Sequence, residues 1–128
     1  MSGEPVLVVD DNPQNLKLVR VLLGREGYQV ATAADGEEAL AVLKTFTPRL
    51  VLMDLQMPGL DGLSLTRRLK ADPTTASIVI VALTAYAMKG DREKALAAGC
   101  DDYVAKPIDT EALCQTVRRH LAGEERKP

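Results

Sequence analysis

Three carboxylates and a lysine stand where apolar segments of this 128-residue chain end. Each group comes directly after one of three short apolar runs: Asp10 and Asp11 after residues 5–9, Asp54 after 50–53, and Lys106 after 103–105. Runs of this length, bounded by charge or turn residues, are typical of buried strands. If these strands are parallel in one sheet, the four groups meet at its carboxyl edge, where open α/β sheets bind ligands. Oxygen ligands suit a hard divalent cation and a lysine suits an anion, so the pattern indicates phosphoryl chemistry on an aspartate.

The length and composition predict one soluble domain. The chain is 46% hydrophobic and 27% charged, and its net charge of −2 gives no reason to expect nucleic-acid binding. No apolar stretch is long enough to cross a membrane, and the N-terminus lacks the basic start of a signal peptide. We therefore expect a cytoplasmic protein with a single domain over 1–128, its core at about 4–122 and a short charged tail after it.

The cysteines and the histidine give weak functional signals. Cys100 and Cys114 have no histidine cluster near them in the sequence, so they predict two reduced thiols that pack as small hydrophobes rather than a zinc site or a disulfide. His120 is the only histidine, and its position predicts a residue late in the last helix that complements the helix dipole.

Strand and helix patterns alternate along the whole chain. The predicted strands cover residues 5–9, 28–33, 50–54, 78–83 and 102–105. Between them lie helical patterns whose starts and ends carry recognisable residues: Asn12 and Pro13 start helix 1 and Gly27 ends it, Asp35 with Glu38 caps helix 2, Gly99 ends helix 4 (88–98), and Asp109 caps helix 5. Five such units predict an α/β fold with a parallel sheet between helices, although periodicity alone does not fix the strand order.

Thr84 and the Lys106–Pro107 pair follow the last two predicted strands. Thr84 is either an ordinary turn hydroxyl or a hydroxyl that reaches an anion on Asp54. A proline after Lys106 can impose a fixed turn, including a cis one, that directs the lysine back over the sheet edge. Tyr103, taken alone, is more typical of a packing aromatic than of a functional residue.

Four segments together resemble the receiver domain of bacterial two-component response regulators. They are Val8-Val9-Asp10-Asp11-Asn12, Leu52-Met53-Asp54-Leu55-Gln56-Met57-Pro58-Gly59-Leu60-Asp61-Gly62, Ala82-Leu83-Thr84-Ala85, and Asp102-Tyr103-Val104-Ala105-Lys106-Pro107-Ile108. The resemblance covers essentially the whole chain in order. It implies a doubly wound, flavodoxin-like fold with a five-stranded parallel sheet in the order 2-1-3-4-5.

The resemblance also implies a role for each matching residue. Asp54 corresponds to the phosphoacceptor. Mg²⁺, or Mn²⁺ in its place, would be held by Asp11, Asp54 and the backbone carbonyl of Gln56, with Asp10 acting largely through water. The remaining roles are a phosphoryl contact from Lys106, oxygen contacts from Thr84 and the amide of Ala85, and a coupled switch pair formed by Thr84 and Tyr103. Such chemistry suits an aspartate nucleophile whose transition state is stabilised by a metal and a lysine.

Two neighbours of these residues are expected to tune the lifetime of the phosphoryl group. In the family, the positions two after the phosphoacceptor and two after the switch threonine vary and affect dephosphorylation, and here they hold Gln56 and Tyr86. A bulky Tyr86 is expected to screen the acyl phosphate from water.

The resemblance favours a stand-alone switch that performs only self-phosphorylation from a phosphodonor and slow autodephosphorylation. Its implied partners are a sensor histidine kinase or histidine phosphotransfer protein and a downstream protein that contacts helix 4, strand 5 and helix 5. The chain is expected to be a monomer or weak dimer.

A receiver from a hybrid histidine kinase would have the same sequence features. An aspartyl phosphatase is disfavoured because it would need a second acid where Gln56 stands. A flavin protein of this fold would need a phosphate-binding loop where the acids stand, and a receiver that works without phosphorylation is disfavoured because every site residue is present.

Overall fold

Five parallel strands form the centre of the computed structural model, which describes residues 3–55, 57, 62–85 and 90–126. The strands are β1 (Pro5–Val9), β2 (Gln29–Ala33), β3 (Leu50–Asp54), β4 (Val79–Thr84) and β5 (Asp102–Ala105). The helices are α1 (Pro13–Arg25), α2 (Gly36–Val42), α3 (Gly62–Ala71), α4 (Asp91–Ala98) and α5 (Thr110–Arg126). The sheet order β2-β1-β3-β4-β5 confirms the doubly wound, flavodoxin-like fold.

The strand register places the ends of β1, β3 and β4 at one edge. Val9 pairs with Met53, and Asp54 pairs with Leu83. Because all pairs are parallel, residues that follow these strands emerge on the same side of the sheet. The three central strands are almost wholly buried, which explains their nearly continuous apolar sequences.

Two apolar clusters cover the two faces of the sheet. On one face, residues of β1, β3 and β4 pack with Ala39 of α2, Leu65 of α3 and Ala95 of α4. On the other face, α1 contributes Val19 and Leu23. Helix α5 completes that second cluster with Leu113, Val117 and Leu121, all of them buried. Helices therefore pack on both faces, as the alternating pattern predicts.

The predicted helix caps are confirmed where the structure describes them. The side chain of Asn12 accepts hydrogen bonds from the backbone N–H groups of Gln14 (2.9 Å) and Asn15 (3.3 Å). Asp35 and Asp109 cap α2 and α5 in the same way. At the end of α4, Gly99 has a φ of 111°, a left-handed conformation that favours glycine.

The boundaries of four elements differ from the sequence prediction. Helix α4 begins at Asp91 rather than at about residue 88, because Gly90 before it has a φ of 95° and is not helical. Strand β2 begins one residue later than predicted, at Gln29, and β4 covers Val79–Thr84 rather than 78–83. Ile78 stays outside β4 because its N–H donates to the carbonyl of Thr75 in the preceding turn. Helix α5 continues to Arg126, so the prediction of a tail from Gly123 onward is wrong. A glycine inside a helix costs only about 1 kcal/mol relative to alanine, and Glu and Arg next to it favour helix.

His120 does not have the dipole role that its sequence position suggested. Because α5 ends at Arg126, His120 lies more than one turn before the C-terminal end of the helix. Its Nε2 lies 2.9 Å from Oδ2 of Asp102, which also accepts a hydrogen bond from Arg119 (2.5 Å). The histidine therefore ties α5 to the start of β5.

Both cysteines are free, with Cys100 buried and Cys114 half-buried, as the sequence predicted. Within the described residues, no helix has the length and apolar character that a membrane span requires.

Candidate functional site

Asp54 and Lys106 form an ion pair at the carboxyl edge of the sheet. Asp54 is the last residue of β3 and is fully buried. Lys106 follows β5, and its Nζ lies 3.0 Å from Oδ1 of Asp54 and 3.7 Å from Oδ2 of Asp10. The lysine side chain is only 18% exposed, so the pair is shielded from bulk water. Burial of this kind strengthens the Coulomb attraction between the two charges and also makes either of them costly to leave unpaired.

Asp10, Asp11 and Asp54 gather beside the lysine, as their places after the strands predicted. Each offers a carboxylate oxygen, and these oxygens lie within 4.8 Å of one another. Asp10 and Asp54 are buried, whereas Asp11 is exposed. The Lys106 ammonium pairs with two of these carboxylates, those of Asp10 and Asp54. Two like charges 4.8 Å apart repel by about 3.5 kcal/mol at an effective dielectric constant of about 20. A cation bound among the three carboxylates would offset this repulsion.

The donor set of this cluster fits a hard divalent cation. All three side-chain donors are carboxylate oxygens, which Mg²⁺ and Mn²⁺ prefer, and the described residues around them add no thiolate or imidazole ligand. The exposure of Asp11 leaves an approach from solvent, so bound water or a phosphate oxygen can complete the coordination.

The start of α1 holds the carboxylate of Asp10 in place. Asn12 donates its backbone N–H to Oδ1 of Asp10 (2.9 Å), and Asn15 donates its side-chain Nδ2 to Oδ2 (3.3 Å). Sequence reasoning assigned Asn12 only to the helix cap and did not identify Asn15. The available signal was a polar residue three positions after the cap, on the first turn of α1 beside the acids.

Thr84 and Ala85 lie next to the Asp54–Lys106 pair through the backbone. The N–H of Leu55 donates to the carbonyl of Leu83 (3.0 Å), which places the end of β4 beside the residue after Asp54. The N–H of Lys106 donates to the carbonyl of Thr84 (2.8 Å). Thr84 is fully buried and Ala85 is exposed, so the chain passes from the core to solvent at this point.

Gly62 packs directly against the backbone of the candidate phosphoacceptor. A Cβ on Gly62 would lie 2.3 Å from the carbonyl oxygen of Asp54, closer than van der Waals contact permits. The sequence carries no signal for this contact, because it joins residues of two different elements. In the fold Gly62 is the first residue of α3, and its missing side chain lets that helix approach the end of β3.

Tyr103 is a residue of β5, and its ring lies on the side of the sheet that α4 covers. Its ring is half-buried and packs against the apolar cluster on the face covered by α2, α3 and α4. The guanidinium carbon of Arg92, an exposed residue of α4, lies 5.4 Å from the ring centroid. Sequence reasoning missed this cation–π contact because no helical spacing joins residues on different elements.

The remaining expectations concern the turn after β5 and two neighbours of the site. The Lys106–Pro107 peptide bond is cis, and the lysine lies over the sheet edge. Gln56, with its carbonyl ligand role, and Tyr86 lie outside the described residues.

Asp102 carries a lowered pKa although partial burial opposes this. Burial raises the pKa of this carboxyl, but the hydrogen bonds from His120, the N–H of Tyr103 and Arg119 together lower it below its ordinary value. The lowered pKa reflects a structural tie between β5 and α5, outside the acidic cluster.

Burial raises the pKa of the Cys100 thiol, and the contact of its sulfur with Oγ1 of Thr66 (3.8 Å) opposes that rise only in part. Cys100 lies in the loop before β5 and packs against α3 in the apolar cluster, so its surroundings are those of a core residue.

The sequence of this chain is similar to those of known proteins. A family model for the response regulator receiver domain matches residues 6–118. The polar-differentiation response regulator DivK of Brucella anthropi is 40% identical over 116 residues, which cover 91% of this chain and 94% of DivK.

Solved structures of receiver domains are also similar to this chain. The receiver domain of a sensor histidine kinase from Pseudomonas aeruginosa PAO1, with a magnesium ion coordinated in its active-site cleft, is 39% identical with a TM-score of 0.84; the match covers 92% of this chain and 97% of that one. A CheY-like response regulator receiver domain protein from Methanospirillum hungatei JF-1 is 29% identical with a TM-score of 0.87, over 99% and 100% of the two chains. The acidic edge, the parallel sheet and these relatives lead to one conclusion: the chain belongs to the response regulator receiver domain family of two-component signalling.

Proposed function

We propose that this receiver is a phosphorylation-dependent switch that accepts a phosphoryl group on Asp54 from a sensor histidine kinase or a histidine phosphotransfer protein. The observation that carries this proposal is the contact of the buried Asp54 carboxylate with Lys106 at 3.0 Å, inside a cluster of three carboxylates. A nucleophilic carboxylate beside a fixed cation suits attack on phosphorus.

The transfer step uses Asp54 as the nucleophile. A carboxylate oxygen of Asp54 forms a bond to phosphorus as the bond between phosphorus and the donor's imidazole nitrogen breaks, and the electron pair of that bond stays on the imidazole. Lys106 then pairs with an oxygen of the transferred group. The hydroxyl of Thr84 and the N–H of Ala85 bind the other oxygens, a role supported by the backbone tie between Thr84 and Lys106.

Asp10, Asp11 and Asp54 are the residues that would hold Mg²⁺ or Mn²⁺, together with the carbonyl of Gln56. When bound, the ion supplies positive charge that offsets the carboxylates and the phosphoryl oxygens. The hydrogen bonds from Asn12 and Asn15 support the role of Asp10, because they fix both of its oxygens before any ligand arrives.

Phosphorylation changes the charge at the edge and thereby the packing around β4 and β5. The new oxygens attract the hydroxyl of Thr84, and the ring of Tyr103 follows into the space beside it. Both side chains belong to the sheet face that α4 covers. The output surface is the face formed by α4, β5 and α5, where Leu96 of α4 is 46% exposed and available to a protein partner.

Receiver domains are signalling switches rather than enzymes in the usual sense, and the activity proposed for this chain is limited to its own phosphorylation and slow dephosphorylation. The two free cysteines support a location in the reducing cytoplasm. A receiver attached to a histidine kinase is the second candidate, favoured by 39% identity to the Pseudomonas aeruginosa kinase receiver. The chemistry at Asp54 is the same in both.

Intact mass spectrometry tests the proposal. Wild type incubated with acetyl phosphate and Mg²⁺ should gain the mass of one phosphoryl group, and the gain should disappear when EDTA removes the metal. Asp54→Asn should gain nothing under the same conditions. A wild type that stays unmodified, or an Asp54→Asn variant that is modified equally, would contradict the proposal.

A further inference from the structure

Arg92 and Tyr103 form a cation–π contact between α4 and β5. The guanidinium carbon lies 5.4 Å from the ring centroid, within the roughly 6 Å at which a cation is attracted to an aromatic face. Arg92 is exposed, whereas the tyrosine ring is half-buried against the core. The arginine therefore lies over a ring that also packs against apolar residues.

This contact lies on the same sheet face as Thr84. Tyr103 pairs in register with Ala82, and both belong to the apolar cluster on the α4 side of the sheet. Thr84 is two residues after Ala82 on β4, so its side chain points to that same face. The cation, the ring and the hydroxyl therefore lie on the same face of the sheet.

We propose that Arg92 is a positioning residue that holds the Tyr103 ring in its arrangement before phosphorylation and thereby sets how readily the switch responds. This inference rests on the proposed function, in which the ring moves when a phosphoryl group binds. A contact made in only one of two states changes the free-energy difference between them by its own free energy, and the ratio of their populations changes accordingly. Activation therefore breaks the Arg92 contact, and the free energy of that contact adds to the free energy of activation.

The size of the effect follows from the exposure of the arginine. Cation–π contacts at exposed sites are at the weak end of their range, which corresponds to a shift in population of about two- to five-fold. Loss of the arginine should favour the activated arrangement, and by linkage it should increase the affinity for any ligand that stabilises this arrangement.

A simpler explanation would give Arg92 only a general electrostatic role. In that case its positive charge would attract the anionic phosphoryl group, and its removal would weaken binding rather than strengthen it. Lys94 provides a matched control because it is an exposed cation of the same helix, two residues further along. Only the cation–π explanation requires the effect of Arg92→Ala to depend on an aromatic ring at position 103.

The experiment is a titration of the full chain with beryllofluoride in the presence of Mg²⁺, followed by amide NMR shifts. Arg92→Ala should lower the half-saturating beryllofluoride concentration by about two- to five-fold, and Lys94→Ala should leave it unchanged. In a Tyr103→Phe background the effect of Arg92→Ala should persist, because a phenyl ring also attracts the cation. In a Tyr103→Leu background it should vanish.

The results separate this inference from the proposed function. If wild type shows no response to beryllofluoride, the proposed function fails. If wild type responds but Arg92→Ala has the same or weaker affinity, or if its effect persists without an aromatic ring at 103, the positioning role of Arg92 is overturned and the proposed function stands.

Discussion

The backbone N–H of Lys106 donates a 2.8 Å hydrogen bond to the carbonyl oxygen of Thr84. This bond continues the pairing of β4 with β5 one step past the sheet and fixes where the lysine leaves it. From there the lysine reaches Asp54, while Thr84 stays buried beside it. Thr84 and Lys106, which are far apart in sequence, are thereby held at one edge of the sheet before any phosphoryl group arrives.

Removal of the Lys106 ammonium should have opposite effects on metal binding and on phosphorylation. In Lys106→Ala, the carboxylates of Asp10 and Asp54 lose a cation that competes with Mg²⁺ for them, so Mg²⁺ affinity in calorimetry should rise several-fold. The rate of phosphorylation by acetyl phosphate should fall on the order of 100-fold because a fixed positive charge is lost from the transition state. Lys44→Ala, which removes an exposed lysine after α2, should change neither quantity. A Lys106→Ala variant with both lower Mg²⁺ affinity and an unchanged rate would refute this account.

Gly62→Ala should destabilise the domain at the point where α3 meets β3. The new Cβ would lie 2.3 Å from the carbonyl oxygen of Asp54, so helix or strand must shift, at a cost of about 1–3 kcal/mol in the free energy of unfolding. Gly24→Ala is the matched control, because a Cβ there meets no atom within 4 Å and Gly24 lies inside α1. That substitution should stabilise the domain by up to about 1 kcal/mol. Urea unfolding measures both, and equal effects of the two alanines would show that the close approach is unimportant.

The tie between Asp102 and α5 should give a stability contribution that depends on pH. Its folded pKa is lowered, so the contribution is fully present above the pKa of the unfolded chain and is lost as the pH falls through the folded value. Asp102→Asn should therefore be less stable than wild type at pH 7, and the difference should shrink as the pH falls below about 4. The asparagine can still accept the Tyr103 N–H, so the variant tests the contacts with Arg119 and His120. A difference that is constant from pH 7 to pH 3 would rule the tie out.

The two thiols should differ in reactivity. Burial raises the pKa of both thiols, but Cys100 is only 5% exposed whereas Cys114 is half-buried on α5. With iodoacetamide on the native protein, Cys114 should be labelled at least about ten times faster, because reaction needs an accessible thiolate. Cys114→Ser leaves Cys100 alone and should show labelling only at the rate of unfolding or local opening. Fast labelling of that variant would contradict the core position of Cys100.

The sequence predicted the elements and most of the site because the acids and the lysine directly follow apolar runs. In a parallel sheet such residues must meet, and Asp10, Asp11, Asp54 and Lys106 do. Contacts between different elements were not predictable in this way. The approach of Gly62 to Asp54 depends on how α3 packs, and the position of Arg92 over Tyr103 depends on the rotation of α4.

The errors have a related cause. A helix that ended near residue 122 would place His120 in its last turn, but α5 continues to Arg126. The glycine at position 123 does not end the helix because its energetic cost there is small. Local signals located the strand ends within about a residue. Tertiary packing decided which partner a polar side chain finds.

The most direct measurement of the central claim is the location of the phosphoryl group among the three clustered carboxylates. Wild type would be phosphorylated with acetyl phosphate and Mg²⁺, reduced with borohydride, which converts an aspartyl phosphate to homoserine, digested with trypsin and sequenced by tandem mass spectrometry. Asp54→Asn serves as the matched control. The account predicts homoserine at position 54 in wild type and at no position in the variant. Homoserine at position 10 or 11, or at the same position in both proteins, would contradict it.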